Sequence, residues 1–408
     1  MPASRPRLSA LAALSALVLL AGCGKGGAAA EQQSGGPAHK VAPVVAQGAV
    51  SVATRNTTRL GGAVVAADAA AVARTVYPGL TAATRPLMVV IADESNGPAA
   101  LAASVFASAP VSAPILYSEG GTLPEVSSQT LRALNPVGDP AFGGAQVLRL
   151  GTSVQVPSGY VTRTIPVSAP APTAALIASA LTGAVGAPRQ VIVVPANAPE
   201  ALLMPAAGLS AENGAPIMFI TPARVPDTTT LALHALRHPD IYVIDAGGVG
   251  RTALHELRHL GTVKVVAVDR PGEADPAVAG SIAVSRYTDG TFGWGVKEPG
   301  HGLVFANSTR PLDAPAAALL SATGNYGPLL LLESPRVIAP ALASYLDDIQ
   351  PAYTSAPEYR PVRGVYNHGW LIGDESAITA TTQAELDSLL EISPRKQSSE
   401  EQPVAQAE

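Results

Sequence analysis

Residues 255–259 read His-Glu-Leu-Arg-His. On a helix, two histidines at this spacing share a face and can hold zinc, with the glutamate between them as general base. Metal-assisted hydrolysis is therefore the first chemistry to weigh. The helix that would carry it argues otherwise. At 100° per residue, with His255 at zero, His259 lies at about 40° and Leu254, Leu257 and Leu260 at about 260°, 200° and 140°. The leucines make one face and the histidines the opposite one, as in a helix packed on a sheet with both rings in solvent. A further histidine ligand at 265, preceded by glycine at 262, is also missing, because the chain has Val265 and Thr262 there. Glu273 stands in the polar loop "DRPGEADP" and is no substitute. We therefore expect no structural or catalytic zinc, and a zinc metalloprotease is only the third-ranked function.

Other candidate sites are weaker. His234 and His238 form a second i, i+4 pair and read as solvated helix termini. "GGVGRT", after Asp245, falls at a strand-to-helix turn, where helix N–H groups can hold an anion. It lacks the Gly-Lys-Ser/Thr ending of a phosphate-binding loop, so a tight turn is the better reading. No Gly-x-Ser-x-Gly, framed carboxylate pair or Ser/His/Asp set stands out. No catalytic residue, cofactor or metal is assigned, and the protein is not expected to be an enzyme.

The ends of the chain point to a compartment. Arg5 and Arg7 precede an apolar run from Leu8 to Leu20, too short and Ala-rich for a bilayer span. The run ends in Leu20-Ala21-Gly22-Cys23, the pattern of a lipoprotein signal, and Cys23 is the only cysteine. Cleavage would leave Cys23 acylated and tether the protein to the outer face of the cytoplasmic membrane. With that thiol used, disulfides, iron–sulfur clusters and thiolate zinc sites are excluded. Loss of Arg5 and Arg7 takes the formal charge from −5 to −7, which argues against nucleic-acid binding. Charged residues are only 14%, with Ala, Gly and Pro abundant, which reads as high-GC, actinobacterial-type codon bias.

A repeat organises the rest. Segments from Met88 ("MVVIADESNGPAALAAS"), Gln190 ("QVIVVPANAPEALLMPA") and Gly302 ("GLVFANSTRPLDAPAAA") align at offsets of 102 and 112 residues. Each predicts an apolar strand, a polar loop and an Ala-rich helix. A second strand then follows Pro114, Pro216 or Pro328, and another helix opens at Pro124, Pro226 or Ile338. Third strands follow in "AQVLRLG", "IYVIDAGG" and "GWLIGD". Strands apolar throughout, alternating with helices, indicate small parallel sheets covered by helices, an α/β class.

At "PAALAAS" (98–104), "APILYS" (113–118), "TTRLGGAVVAADAAAVA" (57–73), "APIMF", "AGGVGRT", "LDAPAAA" and "GPLLLL", the chain resembles the type 2 cell wall-binding repeat family. The resemblance implies three tandem Rossmann- or toprim-like modules in a pseudo-threefold arrangement. The lipoprotein signal sets a signal peptide over 1–22, composition sets a flexible linker over 23–50 and a disordered tail over 393–408, and the resemblance places modules over 51–151, 152–262 and 263–392. It implies a monomer that binds an anionic cell-wall polymer without catalysis. Implied polymer-binding positions are Arg59, which matches the family's opening arginine, and the strands Ile115, Leu116, Tyr117, Ser118; Ile217, Met218, Phe219, Ile220; and Leu329, Leu330, Leu331, Leu332. Arg59 is expected at the surface. A protein–protein scaffold in envelope assembly is the alternative.

The anchor gives a direct expectation. Cys23→Ala should shift the protein from the detergent phase to the aqueous phase, or leave it unprocessed, as read by phase partitioning and intact mass.

Overall fold

A computed structural model describes residues 50–245, 248–268, 274–323, 327–353, 361–363 and 366–394. Cys23, the signal segment, nearly all of the linker and the tail beyond Pro394 lie outside the described residues, as do Glu273 and part of the "AGG" turn.

Each repeat unit builds a parallel sheet around its first strand. In the first sheet, Val89–Asp93 lies between Ile115–Ser118 and Val147–Leu150. In the second, Gln190–Pro195 lies between Ile217–Ile220 and Asp240–Asp245. In the third, Gly302–Asn307 lies between Leu329–Leu332 and His368–Ile372. The strands are apolar on both faces because helices cover both. The fold is thus α/β, with small parallel sheets of Rossmann-like modules. Pro340 opens its helix at the first position, whereas Pro124 and Pro226 stand one residue earlier, as caps of Glu125–Leu134 and Asp227–Ala235. The repeat extends to single hydrogen bonds. Ser127 Oγ donates to Tyr117 O, and Thr229 Oγ1, 102 residues on, donates to Phe219 O, both at 2.8 Å.

Each of these three sheets has a further strand beyond the third, and it comes from a different repeat. Thr162–Ile165, which leads into the second unit, pairs with Val147–Leu150 of the first sheet. Thr262–Val268, which leads into the third unit, pairs with Asp240–Asp245 of the second. Thr57–Leu60, which leads into the first, pairs in parallel with His368–Ile372 of the third, and Val50–Ala53 turns back antiparallel beside it. Each unit thereby lends its leading strand to the one before it, and the first lends to the last. The pairing closes a cycle.

The first helices of the units meet inside that cycle. Gly97–Ala103, with its 3-10 continuation Ser104–Ala107, packs with Pro205–Asn213 and Asp313–Ala322. Small residues set the closeness. A Cβ on Gly208 would stand 2.7 Å from Ser321 Oγ and 3.3 Å from its Cβ. The helices after the lent strands, Val65–Val76, Pro170–Val185 and Pro276–Arg286, each cover the second strand of their own unit.

Arg59 lies on the lent strand Thr57–Leu60 and is only 2% exposed, which corrects the expectation of a surface residue. Its Nε donates to Gln383 Oε1 at 3.1 Å, and its Nη1 donates to the carbonyls of Gly373 (3.1 Å) and Asp374 (2.7 Å). Gln383 Nε2 in turn donates to Thr57 Oγ1 at 3.1 Å. Arg59 is the one buried arginine among the described residues, and it fastens the lent strand to the third unit.

Truncation should therefore damage the fold. Arg59→Ala leaves Gln383 Oε1 and Gly373 O without their donor and opens a void, for a loss of about 2–4 kcal/mol in unfolding free energy. A lowered urea midpoint at unchanged slope is the expected reading.

Candidate functional site

Strands of an open α/β sheet present their carboxyl ends to ligands. Here these ends converge with the starts of the first helices. Asn96 Oδ1 caps the helix Gly97–Ala103 by accepting from Ala99 N at 3.1 Å. Beside it opens a cavity of about 450 Å³, lined by Val65, Glu94 and Gly97 of the first unit, Glu200 of the second, and Arg310–Asp313 of the third. An apolar pocket of about 60 Å³ adjoins it, floored by Leu101, Phe219 and Leu312. A shallow groove of about 390 Å³ continues over Phe219, Ile220 and Pro226.

The electrostatics of this junction centre on Arg310. Its Nε donates to Asp313 Oδ2 at 2.8 Å, its Nη2 to Asp68 Oδ2, and its Nη1 to Ala63 O at 3.3 Å. Asp68 belongs to Val65–Val76 of the first unit and Asp313 opens Asp313–Ala322 of the third, so the cluster bridges the two. Both carboxyls are fully buried. Burial, and then the neighbouring Asp313, pushes the Asp68 carboxyl up to about 8, while Gly62 N, donating at 2.7 Å, and Arg310 oppose the rise. Burial raises Asp313 too, against the pull of Arg310. Near neutrality the pair keeps a proton, and one guanidinium faces close to one net negative charge. Gly61, at φ +123, is required here because a Cβ would collide with the Asp68 carboxylate.

Around the cavity mouth, burial, Glu119 and Asp93 raise the Glu94 carboxyl. Asp93 is held below its ordinary value despite burial by hydrogen bonds from Ser95, Gly121 and Ser118. The lining is thus acidic around one arginine already bound to two carboxylates. An anionic polymer has no free cation to meet there.

The strand positions implied by the resemblance are core. Ile115 to Ser118, Ile217 to Ile220 and Leu329 to Leu332 are buried at every position. Their side chains fill the space under the covering helices, which corrects the expectation of ligand contact along these strands. Phe219 and Ile220 line the depressions described above. Tyr117 has a structural task, its hydroxyl donating to Leu312 O of the third unit at 2.7 Å. Glu94, Glu200 and Arg310 carry no motif that marks them in the sequence, whereas Asp313 stands in "LDAPAAA". "RLGG" before an Ala-rich helix holding one aspartate is the available signal for Asp68.

At "HELRH", Arg251–Leu260 is a helix with Leu257 and Leu260 buried and His255 and His259 exposed, as the angular reading required. Glu256 Oε2 accepts from Val225 N at 2.6 Å, so this carboxylate anchors a loop.

With this geometry in place, the comparisons with solved structures can be stated. Cwp6 from Clostridium difficile matches with a TM-score of 0.63 at 17% identity, over 82% of this chain and 48% of that one. Cwp8 from Clostridium difficile matches with a TM-score of 0.59 at 16% identity, over 83% and 52%. The chain shares their fold. It spans about half the length of those structures. No protein-family model and no curated protein matches the sequence.

The buried pair makes stability depend on pH with a definite sign. A carboxyl whose folded value is raised binds more protons folded than unfolded between its ordinary value of about 4 and its folded value. Stability should fall as pH climbs through that window toward about 8. Asp68→Asn should flatten the decline relative to the parent in urea titrations run from mildly acidic to mildly alkaline pH.

Proposed function

We propose that the chain is a non-catalytic cell-envelope protein whose modules, related to type 2 cell wall-binding repeats, bind an anionic secondary polymer of the wall. The observation that carries this reading is the closed set of three units, the fold of the cell wall proteins Cwp6 and Cwp8. In this proposal Cys23 tethers the protein to the outer face of the membrane while the modules hold the wall.

The polymer's place is chosen by charge. The junction cavity is acidic, whereas cations collect on the outer helices of the second unit. Arg224, Arg251 and Arg258 are exposed there and enter no ion pair among the described residues. Two backbone ties, Gly250 N to Pro222 O at 2.8 Å and Val225 N to Glu256 Oε2 at 2.6 Å, hold the loop of Arg224 against the helix of the other two. Arg251, His255, Arg258 and His259 share the outward face of that helix with no acid on it.

Sedimentation with purified walls tests the reading. Binding should weaken with salt, because exposed charges are screened over about 8–10 Å at physiological ionic strength. It should drop after acid extraction of secondary polymers. Replacing Arg224, Arg251 and Arg258 by Ala should weaken it by about 1–3 kcal/mol for each arginine that bonds the polymer. Retention that ignores salt, extraction and these arginines would favour the protein scaffold instead.

A further inference from the structure

His255 and His259 share the outward face of Arg251 and Arg258, and the two rings have a mutual geometry that polymer binding by those arginines does not use. Both are exposed on Arg251–Leu260, with Nε2 atoms 3.1 Å apart and ring planes at 86°. Bonds of about 2.0–2.1 Å from both nitrogens to one shared ion would subtend ~95–102° at that ion. The angle falls between the square-planar and tetrahedral values favoured by copper and zinc. The spacing thus suits chelation once the donor ring turns by roughly 40° off the line joining the two nitrogens, and the helix holds the two residues on adjacent turns.

We propose that His255 and His259 form an open-sided, two-histidine chelate for one divalent transition ion of the imidazole-preferring class, Cu²⁺ or Zn²⁺. The sequence reading expects no metal at this segment. That expectation concerns a structural or catalytic zinc, and this site is neither. No group of three or more His, Cys, Asp and Glu gathers among the described residues, so the remaining coordination positions face solvent and take water or an outside donor. Glu256 is engaged with Val225 N and supplies no ligand. Arg251 and Arg258, on the same exposed face, disfavour a bare dication and favour one whose open positions carry an anion. Both rings must present a free Nε2. The hydrogen between the two nitrogens must then leave that position, so that the ion takes its place.

His234 and His238 provide the internal comparison. The helix Asp227–Ala235 ends between them, and Arg237 and His238 are left-handed at φ 58 and 66, so the i, i+4 geometry is broken.

The test is calorimetric titration of the full, untagged chain with Cu²⁺ and then Zn²⁺. One site per chain is expected, tighter for Cu²⁺. His255→Ala and His259→Ala should each weaken it by about a hundredfold, because the second ligand acts intramolecularly. His234→Ala and Glu256→Gln should leave it unchanged. A chain with no stoichiometric site, or with a site that either single histidine variant retains, would overturn the proposal. A loss in Glu256→Gln equal to that in the histidine variants would also overturn it, by making the glutamate a ligand.

Discussion

A cycle of three units on one chain has two junctions bridged by continuous backbone and one that is not. The open junction, between third and first units, has to be closed by non-covalent bonds alone, and every sheet depends on that closure because each borrows a strand around the cycle. Arg59 and Gly373 are 314 positions apart in sequence. Closing so long a loop costs only about 3 kcal/mol more than closing a ten-residue one, since the entropy grows with the logarithm of length. A few buried charge-assisted bonds of about 1.5–3 kcal/mol each are of the right size to offset it. Arg59, the Asp68–Arg310–Asp313 cluster and the Tyr117–Leu312 bond all stand at this junction. The junction of the second and third units, which has backbone continuity, is tied through Tyr242 of the second, whose hydroxyl donates to Asp289 Oδ2 at 2.8 Å and accepts from Lys264 Nζ at 3.1 Å, with the Lys264 and Asp289 side chains 31% and 20% exposed.

Burial of polar groups at the closure has a second effect. Two buried carboxylates beside a single guanidinium cannot both stay charged at low cost, so the pair retains a proton and the clasp becomes sensitive to alkaline pH. The same acids keep the adjoining cavity negative. Arg224, Arg251 and Arg258 of the second unit, by contrast, are exposed and enter no ion pair among the described residues.

Much of this architecture is legible in the sequence, and the rest is hidden for physical reasons. The first and second strands of each unit are short apolar runs set at constant offsets, and both burial and register follow that pattern. The leucine face of Arg251–Leu260 is equally readable, because helical period alone determines it. The lent strands are not. "TTRL" and "TRTI" are short and partly polar; "TRTI" is an edge strand and needs less apolar surface than a central one, while "TTRL" lies between Val50–Ala53 and His368–Ile372 and carries a buried arginine. Local periodicity also contains no information on which sheet a strand joins. The burial of Arg59 is hidden for the same reason. An arginine is ordinarily exposed, and here its burial is stabilised by Gln383 and two carbonyls more than 300 positions away. The Asp68–Arg310 ion pair, 242 positions apart, likewise has no local signature.

The "HELRH" segment shows how far a motif can be taken without its context. Zinc hydrolysis needs a free carboxylate base, a third protein ligand and a cleft that orients substrate against metal-bound water. On this helix the carboxylate is spent on Val225, no third ligand gathers nearby among the described residues, and the face is outward rather than recessed. What survives is the part that depends only on helix geometry, two imidazoles one turn apart. That part is sufficient to chelate an ion and insufficient to activate water against a bound substrate, so the segment retains the ligand spacing of a hydrolase without its chemistry.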